Sequence, residues 1–62
     1  VPVVQVSLLE GRGAEERRRL VAAVTDAVVD SLGVDPCQVR VLLYELPPGD
    51  WGVGGATKEE ER

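Results

Sequence analysis

Two short apolar runs separated by one amphipathic segment constrain this chain more than any other feature. The first run, VVQVSLL over Val3–Leu9, is rich in β-branched residues. It places Val4, Val6 and Leu8 on one face and Val3, Gln5, Ser7 and Leu9 on the other, the period-two pattern of a strand. Glu10, Gly11, Arg12 and Gly13 break it. From Ala14 the period lengthens: Leu20, Val24, Ala27 or Val28, and Leu32 recur at helical spacing. Glu15 and Glu16 stand where carboxylates suit the positive end of a helix, and Gly33 is placed to end it, which predicts a helix of about five turns. After Asp35 and Pro36, residues 38–46 (QVRVLLYEL) read as a second strand that Pro47 and Pro48 stop. A strand, a crossover helix and a second strand make a βαβ unit, so the strands are expected to run parallel with a right-handed connection. Residues 49–55 (GDWGVGG) set four glycines around Trp51 and Val53, as a tight hairpin or bulged loop requires, and ATKEEER beyond them is expected to fray. The fold class is therefore α+β: a single domain over residues 1–62, with a β-α-β subunit and a C-terminal β-hairpin.

Such a unit cannot stand alone. Its helix covers one face of a two-stranded sheet and leaves the other bare, and 62 residues bury too little surface for comfortable stability. Cys37 is the only cysteine, so no disulfide can help; with no histidine and no second thiol, a structural metal is not expected either. Oligomerisation is what remains. The composition suits it, because a chain that is 44% hydrophobic without Phe or Met must build its core from Val, Leu and Ala, which pack well between flat elements of neighbouring subunits. The net charge of -4 argues against nucleic acid and against an anionic membrane surface. No apolar run approaches the roughly 20 residues that span a bilayer, and no basic segment precedes an apolar stretch, so a soluble cytoplasmic protein is expected.

The missing histidine also bears on chemistry, since it removes the side chain that most often acts as general base near neutral pH. Other groups stand out. Arg12 follows the first strand directly, and Arg40 lies between Val39 and Val41 inside an apolar run, where a charge costs desolvation unless it meets a cleft, a subunit boundary or an anion. Plainer roles exist for each: Arg12 solvating a turn, Arg40 pairing with Glu45 or Glu10, Trp51 plugging an interface. Arg17, Arg18 and Arg19 read as a solvated helix face with Glu15 and Glu16, and Cys37, with no base beside it, reads as a small buried residue.

Taken in order, Pro2, the turn LLEGR, a helix, VRV and the loop GDWGVGG resemble the 4-oxalocrotonate tautomerase family over nearly the whole chain. The resemblance implies a cofactor-independent keto-enol isomerase whose amino-terminal proline, here Pro2, is the catalytic base. It implies that Arg12 binds the distal carboxylate of a dicarboxylate substrate. It implies too that Arg40, usually from a neighbouring subunit, contacts the other carboxylate and the keto oxygen. Trp51 stands where the family commonly has Phe, as an apolar pocket wall, and Leu9 belongs to the same binding segment. The implied assembly is a homohexamer, a trimer of dimers, with sites at subunit boundaries. The implied reaction ketonises a 2-hydroxymuconate-like dienol, in aromatic catabolism or natural-product biosynthesis.

A proline preceded by another residue is an amide without a basic lone pair, so this chemistry requires that Val1 be removed. That is expected if Val1 is the literal translation of a GTG start codon, initiated with formyl-methionine that is cleaved before proline. Two other readings follow different chemistry. One is hydration or dehalogenation of an unsaturated acid, with a protonated proline as acid and Glu10 or Glu45 activating water; the other is a non-catalytic oligomeric binding protein, if Val1 is retained.

Overall fold

The computed structural model describes residues 1–60. Strand β1 is Val3–Leu9, helix α1 is Ala14–Leu32, strand β2 is Arg40–Leu46, and two short strands, β3 (Gly52–Val53) and β4 (Ala56–Thr57), complete the chain. β1 and β2 pair in parallel with Val3 opposite Arg40 and Leu9 opposite Leu46, as the crossover helix requires. Val4, Val6, Leu8, Val41 and Leu43 are half-buried while Val3, Gln5, Ser7, Leu42 and Tyr44 are exposed, so the sheet has one helix-covered face and one bare face. The β-α-β unit and the hairpin are as the sequence predicts.

Helix α1 begins after Gly13, whose N–H donates to Glu16 Oε1 at 3.3 Å, half of a capping box to which glycine cannot add a side chain. It ends at Gly33, at φ 69°, with the Gly33 N–H donating to the Val29 carbonyl at 2.8 Å. The stripe facing the sheet is Arg17, Leu20, Val21, Val24, Thr25, Val28 and Val29, all half-buried. Ala27 and Leu32 do not join it: both are exposed, because the stripe drifts around the helix at 3.6 residues per turn and leaves Leu32 in the last turn 63% exposed.

Three further departures from expectation have local causes. β2 starts at Arg40, not at residue 38, because Pro36 opens a 3₁₀ turn over Pro36–Gln38 whose first amides are capped by Asp35. Arg40 is thus the first residue of its strand and not an interior one. Cys37 lies in that turn and is exposed, so it is not the small buried residue expected. The residues after the glycine loop are ordered as far as residue 60: β3 and β4 pair antiparallel, and Gly54 and Gly55 both take positive φ, 62° and 91°, as a type I′ turn needs. The Lys58 N–H then donates to the Trp51 carbonyl at 2.8 Å, and Lys58–Glu60 close a 3₁₀ turn, while the expected fraying of residues 61 and 62 lies outside the described residues.

Very little of this is buried. Among the described residues Val39 is the one hydrophobic side chain in the buried class, at 9% exposure. The radius of gyration, 14.6 Å, exceeds the roughly 11 Å expected of a compact domain of this length, and the molecule is 43 Å long but 14 Å thick. The elements are well formed, yet the core they imply has no second side within one chain. No helix among the described residues is long and apolar enough to cross a membrane.

Candidate active site

The residues singled out by the sequence fall into two groups at opposite ends of the sheet. Pro2 and Arg40 form the first. The Arg40 N–H donates to the Pro2 carbonyl at 3.0 Å, which continues the parallel ladder by one bond and seats the half-buried Pro2 beside the start of β2. Val1, ahead of it, is 85% exposed. By the strand alternation the Arg40 side chain leaves on the bare face with Val3, where its Nη1 donates to the Cys37 carbonyl at 2.8 Å. That carbonyl is itself positioned, since the Asp35 carboxylate accepts the Cys37 N–H at 3.0 Å. Hydrogen bonding from Cys37, its side chain first and its backbone N–H second, holds the Asp35 carboxyl below its ordinary value of 3.8. A chain of three residues therefore fixes the angle at which Arg40 departs from the sheet. Arg40 forms no ion pair with Glu45 or Glu10 among those seen.

Leu9, Arg12 and Trp51 make up the second group. β1 is seven residues long and rises about 3.3 Å per residue, so Leu9 lies about 23 Å along the strand from Pro2. Beyond Leu9 the Glu10 N–H donates to the Leu46 carbonyl at 2.9 Å, and the chain turns through Gly11, at φ 118°, to Arg12. The positive φ at Gly11 belongs to a region L side chains rarely enter, which explains a glycine directly before the arginine. Trp51 follows the 3₁₀ turn Pro48–Asp50 just after β2 and is half-buried, its backbone tied to Pro48 and Lys58. An open cleft of about 280 Å³ lies at this end, lined by Leu8, Arg12, Glu16, Arg17, Arg19 and Leu20. With Arg17 paired to Glu45, the positive charge of this cleft comes from Arg12 and Arg19 against Glu16.

Arg12 is held loosely. Its guanidinium lies 3.9 Å from Glu16 Oε2, with 62% of the side chain exposed, a contact worth little in solvent. Arg17 is held firmly, and here the expected solvated face is corrected. Arg18 pairs with Glu15 at 3.0 Å in solvent as expected, but Arg17 reaches across to β2, where its Nη1 donates to Glu45 Oε2 at 3.3 Å and to the carbonyl of Arg12. The helical period could have found it: Arg17 stands three, four and seven residues before Leu20, Val21 and Val24, on the stripe that faces the sheet. Glu45 is therefore committed to Arg17 at the far end of β2 from Pro2, which removes it as an activator of water beside Pro2 of the same chain.

No single chain brings Pro2 and Arg40 together with Arg12, Leu9 and Trp51.

Comparison with known proteins gives this arrangement a context. The family model described as "Tautomerase enzyme" matches residues 2–61. The 2-hydroxymuconate tautomerase of Comamonas testosteroni is 33% identical over 60 residues, covering 97% of this chain and 95% of its own. Among solved structures, TomN, a 4-oxalocrotonate tautomerase homologue in the tomaymycin biosynthetic pathway, superposes with a TM-score of 0.93 at 42% identity, over 95% of this chain and 91% of that one. A heterohexamer 4-oxalocrotonate tautomerase from Chloroflexus aurantiacus superposes with a TM-score of 0.94 at 32% identity over the full length of both chains.

Proposed function

This chain belongs to the tautomerase family and is an isomerase, and from that premise we propose that it ketonises a 2-hydroxymuconate-like dienol dicarboxylate with the secondary amine of Pro2 as general base. The observation that carries the reading is the seating of the half-buried Pro2 at the start of the sheet by the Arg40 N–H on its carbonyl at 3.0 Å, in a chain that the tautomerase model matches over residues 2–61.

Once Val1 is removed, Pro2 presents a free amine. An α-amino group has an ordinary pKa of roughly 7.7 to 8, and an apolar setting with nearby cations disfavours its protonated form, so a neutral base exists near pH 7 without histidine. The nitrogen of Pro2 accepts the proton of the 2-hydroxyl as the C2–O bond becomes a carbonyl. The electron pair shifts along the diene, and the same proton is delivered to the carbon at the far end of the conjugated system. Arg40, supplied by a neighbouring copy, stabilises the charge that develops on the C2 oxygen, a contribution on the order of 3 kcal/mol for a well-placed donor. Arg12, from another copy, binds the remote carboxylate with the planar fork that suits it. Trp51 and Leu9 close the apolar side of the pocket; the larger indole, where the family commonly has Phe, narrows the space and shapes which dienol fits. The step is proton transfer alone and calls on no metal or organic cofactor.

The assembly that completes such sites is a homohexamer, a trimer of dimers, in a cytoplasmic protein. The bare sheet face and the near absence of buried side chains support an obligate oligomer. This chain carries candidates for every principal role, so one kind of subunit suffices. The setting is ring-cleavage catabolism or natural-product biosynthesis, which share this dienol chemistry.

The test is intact mass spectrometry of the natively expressed protein together with the absorbance decay of 2-hydroxymuconate. A mass beginning at Pro2, with ketonisation lost in Pro2→Ala, is the expected result. A mass retaining Val1, with no ketonisation, leaves an oligomeric binding protein in its place.

A further inference from the structure

The geometry points to Arg17 as a positioning residue that sets the presentation of Arg12 to a distal carboxylate, a role that rests on the reading of Arg12 given above. The turn carrying Arg12 is anchored at its two ends by the Glu10 N–H on the Leu46 carbonyl at 2.9 Å, by the Arg17 N–H on the Gly13 carbonyl at 3.1 Å, and by the Gly13 N–H on Glu16 Oε1 at 3.3 Å. Between these ends lie Gly11 and Gly13, neither of which has a side chain to pack, and Arg12, whose own ion pair to Glu16 is long and solvated. The carbonyl of Arg12 is gripped by Arg17 Nη1, and the same nitrogen is bonded to Glu45 Oε2 at 3.3 Å. The chain Arg12 carbonyl, Arg17, Glu45 therefore ties a glycine-flanked turn to the rigid end of β2.

Exposure sharpens the assignment. The Arg17 and Glu45 side chains are 37% and 34% exposed, against 71% and 70% for the solvated pair Arg18 and Glu15 on the same helix. The clamp is half sheltered by the sheet and helix it joins, so it loses less to water than an ordinary surface pair. Arg17 also lines the cleft with Arg12, but both contacts recorded for its guanidinium point away from any ligand, to a backbone carbonyl and a carboxylate of this chain. It acts through Arg12, and Glu45 acts through Arg17.

The test compares Arg17→Ala, Arg17→Lys and Glu45→Ala in the intact assembly, with assembly verified by sedimentation. Two dienols are assayed: 2-hydroxymuconate, and 2-hydroxypenta-2,4-dienoate, which lacks the distal carboxylate. Binding of trans,trans-muconate, which carries no hydroxyl to react, is measured by calorimetry. Arg17→Ala is expected to lower kcat/KM for the dicarboxylate about tenfold more than for the monoacid, chiefly through KM, and to weaken muconate binding by a similar factor. Glu45→Ala is expected to move both in the same direction. Arg17→Lys is expected to recover most of the loss, because one nitrogen makes both contacts and an ammonium has three donors. Equal losses on both dienols would mean a general structural role and overturn the assignment. So would tighter muconate binding in Glu45→Ala, since Arg17 would then be touching the ligand itself. If the wild type shows no proline-dependent ketonisation while muconate binding still depends on Arg17 and Glu45, the positioning role stands and the proposed reaction falls. Muconate binding indifferent to both residues overturns the positioning role whatever the activity.

Discussion

Mixing two inactive variants should restore activity, and the extent of recovery is fixed by the geometry of β1. Pro2 precedes the strand and Arg12 follows it, with seven residues between their ends at about 3.3 Å each, so the two residues of one chain are separated by about 23 Å of strand alone. A six-carbon dicarboxylate is far shorter than that, and no arginine side chain spans the difference. A site that uses both residues must take them from different copies. Pro2→Ala lacks the base but keeps Arg12, and Arg12→Ala keeps the base but lacks the clamp. If equal amounts are unfolded together and reassembled at random, a site needs its base from one variant and its arginine from the other. Each condition is met half the time, so on the order of one quarter of sites should be intact. Ketonisation of 2-hydroxymuconate by the mixed assembly should approach that fraction of wild-type activity, while each variant refolded alone stays near background and sediments as the same oligomer. A mixture no more active than the average of its parents, with co-assembly verified by mass tags, would refute the argument.

Three further outcomes follow from the fold. Gly33→Ala should destabilise the protein by about 1 kcal/mol per chain in denaturant titration, because Gly33 sits at φ 69° and a Cβ is penalised there even though the space around it is open. Asp35→Asn should be less stable than wild type at neutral pH, and the difference should fade on acidification. The folded-state carboxyl lies below its ordinary 3.8, so its contribution is complete above that value and is lost as pH falls through the depressed one; a difference that persists in strong acid would contradict this. Leu42→Glu should abolish assembly in sedimentation experiments, because Leu42 is 40% exposed at the centre of the bare face between Gln5 and the neighbouring Tyr44, and a charge buried there by a partner would go unpaired.

How much of this was legible in the sequence depends on the range of the interaction. The limits of β1, the start and end of α1 and a glycine-rich hairpin after β2 all follow from local rules, period and glycine placement, and the structure keeps them, though the hairpin's second strand falls on Ala56–Thr57, where fraying was expected. Where local rules met a competing local rule, they slipped by a residue or two: the Asp35 cap and Pro36 delay β2 to Arg40 and bring Cys37 to the surface. The solvated reading of Arg17 failed for a different reason. Charge runs are usually solvated, but the position of Arg17 on the apolar stripe outweighs its charge, and its partner Glu45 is 28 residues away on a strand whose register no local pattern specifies.

The sequence alone determined the element order and the parallel pairing that a crossover helix imposes, and it led to the expectation of partners, since the apolar residues outnumber the places one chain can hide them. Only the tertiary structure decided which end of the sheet each candidate occupies. Strand register converts distance along the chain into distance in space, and it sets Arg40 beside Pro2 although 38 positions separate them, while Arg12, only ten positions on, lies at the other end of the sheet.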